Sequence, residues 1–148
     1  MSSLLDFAKQ LTQHYFNLNQ TSFNESLADK VVFSVNSTLV NLDGKEDNLD
    51  ITIEGKKAVA NMVALRHFNI TKVAKLEEQG YTLLNENQVK VNFISEETKQ
   101  TESDFDPVTF EYRGHYTLTV KKVDETYKAT EIALVNRRKF VISMFCGF

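Results

Sequence analysis

The second half of the chain alternates. NITKVAKL (69–76), QVKVNFIS (88–95), VTFEYRGHYTLTVKKV (108–123) and TYKATEIALVN (126–136) place apolar side chains at every second position and are rich in Val, Ile, Thr and Tyr. A two-residue period sends one set of side chains to each face of a strand, so these stretches predict a half-buried sheet. In the longest of them, Phe110, Tyr112, Gly114, Tyr116, Leu118 and Val120 share a face. Glu111, Arg113, His115, Thr117, Thr119 and Lys121 share the other, so His115 turns away from the core.

The first half mixes two periods. Ser3-Leu-Leu-Asp6 is a capping box, and Leu4, Phe7, Ala8, Leu11, Tyr15 and Leu18 then recur at helical spacing, with His14 at the edge of the stripe. A second box, Ser22-Phe-Asn-Glu25, predicts a short helix with Phe23 and Leu27 on one side. ADKVVFSVNST (28–38) is a strand with Val31, Phe33 and Val35 inward. The polar run 41–50 reads as a loop or wide hairpin, and Leu49, Ile51 and Ile53 alternate as a further strand. After Gly55 a helix returns through Val59, Met62, Val63 and Arg66, closed by His67 in a structural place at its C-terminus. The acidic stretch SEETKQTESDFDP (95–107) reads as a solvated loop. Helices come early and the sheet late, which predicts one α+β domain over 1–148. Its curved antiparallel sheet wraps a long N-terminal helix, a cone-shaped, cystatin-like roll.

Composition closes off several function classes. A net charge of −3 gives no basic face for nucleic acid. No apolar run is long enough for a bilayer, and Asp6 and Lys9 interrupt the N-terminal apolar stretch, so neither a membrane span nor a secretion signal is expected. The single cysteine, Cys146, excludes an internal disulfide and suits a reducing compartment, the cytoplasm or the nucleus. The three histidines lie on separate elements, so no metal and no cofactor is expected. Gly55-Lys56-Lys57 lacks the glycine of a phosphate loop, and Lys45 and Asn48 spoil the calcium-loop spacing of 43–54.

HYFNLNQTSFNESLADKVVFSVN, IEGKKAVANMV and FEYRGHYTLTVKK…YKATEIALVN together resemble the nuclear transport factor 2-like superfamily over nearly the whole chain. That group includes ketosteroid isomerase, scytalone dehydratase, SnoaL-like polyketide cyclases and non-catalytic transport adaptors. The resemblance implies a cone fold and a homodimer packed through the outer sheet face. It sets the isomerase's oxyanion-donating tyrosine on Tyr15. The general-base aspartate falls at or next to Val35, which cannot take a proton, and the second donor falls near His115 or Tyr116.

The expected inner wall is therefore Val31, Phe33, Val35, Val89, Val91, Phe93, Tyr112 and Tyr116, closed by Tyr15 and Leu11, with Leu11, Tyr15, Phe33, Val35, Val91, Phe93, Tyr112 and Tyr116 lining the pocket. It offers phenols to orient a ligand and no evident base; the catalytic candidates are Tyr15, His14 and His115, with Tyr112 or Tyr116 as further groups that could polarise a carbonyl. The expected function is a non-catalytic binding module that holds a small apolar ligand or a protein partner as a dimer. The alternatives are an isomerase, dehydratase or cyclase acting on a small carbonyl or polycyclic substrate, and a transport or assembly adaptor. The apolar tail 140–148 is expected to tuck Phe140, Ile142 and Phe145 into the cone mouth or the dimer seam.

Overall fold

The computed structural model describes residues 3–99 and 108–141. The order is α1 (Leu4–Phe16), α2 (Gln20–Glu25), β1 (Leu27–Val40), β2 (Glu46–Glu54), α3 (Lys56–Asn69), β3 (Ile70–Asn85), β4 (Gln88–Lys99), β5 (Val108–Val123) and β6 (Thr126–Phe140). The strands form a single sheet in the order β2-β1-β6-β5-β4-β3. Every neighbouring pair is antiparallel except β1 and β6, which run parallel. The fold is the expected α+β roll, with a curved six-stranded sheet closed by the helices. The parallel pair arises because the chain leaves the β1–β2 hairpin and re-enters on the far edge, so its last strand fills the centre.

Local chemistry sets the element ends. Ser3 and Asp6 exchange side-chain and backbone hydrogen bonds at the start of α1, as a capping box should. The second box works differently: Asn19 is the cap, accepting from the Ser22 amide at 3.2 Å, and Leu27 already belongs to β1. An asparagine carbonyl accepts as well as a serine hydroxyl, so the earlier residue takes the role. Asp124 and Glu125 join β5 to β6 with φ of +51° and +66°, the backbone of a tight type I′ hairpin.

α1 fills the concave side. Leu4, Ala8 and Leu11 are buried, and Phe16 meets Phe93 of β4 with ring centroids 5.1 Å apart. Val59 and Val63 of α3, both fully buried, join the same core. Each such Leu, Val or Phe contributes roughly 1.5–3 kcal/mol on leaving water. β2 differs from expectation: Leu49 and Ile51 are exposed on this edge strand, and only Ile53 is packed against the core.

Candidate functional site

Register arranges the inner sheet face in rows. One row holds Val89, Leu118, Ile132 and Phe33; the next holds Val91, Tyr116, Leu134 and Val35. Both are apolar apart from the Tyr116 hydroxyl. The third row is Phe93, Gly114, Asn136 and Ser37, and the fourth is Ser95, Tyr112, Arg138 and Leu39. Glu97 follows, two residues along β4. The inner face thus changes from apolar to polar along the strands. Apart from Thr12 on α1, the buried polar residues among those described are Ser37, Ser95, Glu97 and Asn136, all in these later rows.

The apolar part is nearly filled. A cavity of about 20 Å³ remains, lined by Leu11, Tyr15, Phe33, Phe93 and Tyr116 from the expected wall. That is room for about one water molecule. Thr12, Phe16, Phe23, Ile132 and Leu134 complete it, whereas Val91, Val35 and Tyr112 belong to the surrounding core. Tyr116 is tied to α1: its hydroxyl is hydrogen-bonded to the Thr12 hydroxyl, which in turn donates to the Ala8 carbonyl at 2.8 Å.

The polar part holds an ion pair. The Arg66 guanidinium, reaching in from α3, donates to Oε1 of Glu97. The Glu97 side chain is 0% exposed and that of Arg66 20%. The guanidinium carbon also lies 4.2 Å from the centroid of the Tyr15 ring, a cation–π contact. Tyr15 therefore stands between the small apolar cavity and the ion pair, bordering both.

This arrangement corrects the expectation of an interior without a carboxylate. Ser95–Lys99 is the end of β4 and not the start of a loop, so the inward set Val89, Val91, Phe93 continues through Ser95 to Glu97. Parity carried two steps further would have found the glutamate. The helical spacing that included Arg66 supplies its partner. Residues 100–107 of the expected loop lie outside the described residues, as do Ile142 and Phe145 of the tail; Phe140 ends β6 and meets Phe110 with ring centroids 4.7 Å apart.

Electrostatics follow burial. The Tyr15 phenol is pushed above its ordinary value mainly by burial, with Glu97 adding to the shift and Arg66 opposing it. Burial also raises Tyr112, again with help from Glu97 and against Arg138 and Arg66. Burial works against the Arg66 charge, but Tyr15, Glu97 and Tyr112 outweigh it and raise its pKa. At neutral pH the polar end therefore presents two protonated phenols and a charged guanidinium. Four buried polar atoms there have no hydrogen-bond partner among the described residues: Arg66 Nη1, Glu97 Oε2, Ser95 Oγ and Arg138 Nε.

The histidines lie elsewhere. His14 borders a separate polar groove of about 360 Å³ with Phe7, Gln10 and Tyr127. His115 pairs with Asn92 and Val135 on the outer sheet face, its pKa lowered by partial burial and by Lys90. Among the described residues no group of three His, Cys, Asp or Glu is placed to hold a metal, and no helix is long and apolar enough to cross a membrane.

No family model and no curated protein matches the sequence. Solved structures do match. A protein described as a SnoaL-like polyketide cyclase from Shewanella putrefaciens superposes with a TM-score of 0.67 at 7% identity, covering 92% of this chain and 90% of that one. A ketosteroid isomerase-like protein from Erwinia carotovora atroseptica gives 0.58 at 11% identity, covering 93% and 92%. The chain has the nuclear transport factor 2-like cone fold. A computationally designed 17-OHP binder shares it, with a TM-score of 0.57 at 16% identity over 95% of this chain and 93% of the other. The cone supports binding and chemistry alike, so function has to be argued from the interior.

Proposed function

We propose that this domain binds a small molecule inside the cone without converting it. The apolar body of the ligand packs against the walls around Phe33, Phe93 and Leu134, and its polar group meets the Arg66–Glu97 end. The observation that carries the reading is the buried ion pair with unpartnered polar atoms around it. Buried polar groups are normally satisfied, and a set of four gathered around the later rows of the inner face fits a ligand group or bound water. Because the cavity takes only about one water, a larger guest enters by displacing the Tyr15 ring from Arg66.

Binding is favoured over turnover by the state of the carboxylate. A general base works best unencumbered, with a pKa near the operating pH. Glu97 instead has one oxygen engaged by the Arg66 guanidinium. The raised phenols of Tyr15 and Tyr112 are donors, not bases. The computationally designed 17-OHP binder, which shares the fold, supports a binding role.

A second reading has one specific observation behind it. Oε2 of Glu97 is free to accept a proton next to Tyr15, as an isomerase, dehydratase or cyclase acting on a small carbonyl or polycyclic substrate would need. Turnover of such substrates by the wild type, abolished in both Glu97→Gln and Tyr15→Phe, would establish the enzyme and refute the binding module. Saturable binding of a neutral aromatic carbonyl such as 2-acetylnaphthalene, with no product formed, supports the module.

The homodimer belongs to the same reading. Val135, 42% exposed and flanked by Asn36 and His115, is at the middle of the outer face such a dimer would cover. Conversion of a dimer to a monomer by Val135→Lys in sedimentation would support that interface. A wild type that sediments as a monomer would remove it.

A further inference from the structure

Among the described residues, the polar end has more positive than negative charge. Arg138 is the register partner of Tyr112 on β6 and is hydrogen-bonded to it, and the Arg66 charge acts on the same phenol. Glu97 is the carboxylate acting on the same phenol, leaving two positive groups to one negative. Arg66 spends a donor on Glu97, and its Nη1 has no partner among the described residues. Arg138 Nε is likewise unpartnered, and none of the ion pairs among the described residues involves Arg138. Both nitrogens are buried, and a buried donor binds a charged acceptor more strongly than a neutral one. The remaining atoms ask for something else: Glu97 Oε2 needs a donor, and Ser95 Oγ can serve either way.

From this geometry we infer that the ligand is a small monocarboxylate with a hydroxyl on the neighbouring carbon. Its carboxylate lies between Arg66 Nη1 and Arg138 Nε, and its hydroxyl donates to Glu97 Oε2. The hydroxyl is what lets an anion approach a site that already contains a carboxylate. Its apolar remainder points past Tyr15 toward Phe93. The inference rests on the small-molecule reading above and adds the chemical class of the guest.

Calorimetry with the full chain tests it, using mandelate, phenylacetate and mandelamide as probes. They share an aryl group and differ in charge or in the hydroxyl. Mandelate is expected to bind at least tenfold more tightly than mandelamide, and several-fold more tightly than phenylacetate. Its affinity should fall with added sodium chloride while that of mandelamide stays level, a comparison that needs no variant. Arg138→Gln should reduce the preference for mandelate over mandelamide to under threefold. If mandelamide binds as well as mandelate, the anion site is refuted while the small-molecule pocket stands. If none of the three binds but neutral 2-acetylnaphthalene does, the carboxylate class is likewise wrong. If nothing binds, both readings fall.

Discussion

Removing one member of the buried ion pair should cost far more than its surface counterparts. Arg66→Met keeps the length of the side chain and its packing on Tyr15 but leaves the Glu97 carboxylate, 0% exposed, without its cation. Stranding one partner of a buried pair costs about 3–5 kcal/mol. For a domain of this length, each kcal/mol lowers the melting temperature by roughly 2–4 °C, so a fall of about 6–20 °C is expected. Glu97→Leu strands the other partner, but Arg66 is 20% exposed and retains the Tyr15 ring, so a smaller loss of about 1–3 kcal/mol is expected. The double variant should be more stable than Arg66→Met alone, because it buries no uncompensated charge. The assay is urea unfolding of wild type, both single variants and the double variant, analysed as a double-mutant cycle. Strictly additive losses, or an Arg66→Met loss under about 1 kcal/mol, would refute a buried pair.

Three further outcomes follow from other places in the fold. Gly114→Ala should destabilise by about 1–3 kcal/mol, since an added Cβ would run into the Val135 carbonyl and lie 2.8–2.9 Å from Asn136; unchanged urea unfolding would contradict that packing. Glu125→Gly should raise stability by about 0.5–1 kcal/mol, because Glu125 holds a φ of +66° that glycine adopts without strain, and calorimetric melting reads the gain. His115 has a lowered pKa in the folded state, so the unfolded chain binds its proton more readily. Its contribution is present above the ordinary histidine value of about 6.5 and is lost as pH falls below it, so His115→Gln should flatten the melting profile between about pH 7 and 5.

Much of the fold could be read from alternation, because a half-buried sheet repeats its burial every second residue. The four long strands, the capping box at Ser3 and the inward face of β5 follow from that period and from helix-end chemistry, although β3 runs on to Asn85, past the alternating stretch that ends at Leu76. The polar end was hidden by the same logic applied too briefly. SEETK looks like loop composition, and its register with Tyr112 and Phe110 shows that the strand continues and that Ser95 and Glu97 point inward. A glutamate is rarely fully buried unless paired, and its partner lies 31 residues earlier on another element, which no local pattern links to it. The parallel β1–β6 pairing is likewise non-local. Cavity size depends on how Phe16, Phe23 and Phe93 settle against one another, which residue identity alone does not fix.

The side-chain resonances of Arg66 offer the sharpest view of the interior. In a nitrogen–proton NMR spectrum at neutral pH, the account predicts guanidinium protons that exchange slowly with water. They should be shifted by the ring current of Tyr15 and should collapse to averaged, fast-exchanging signals in Glu97→Gln. An Arg66 signal that already exchanges like a surface arginine in the wild type would contradict the account.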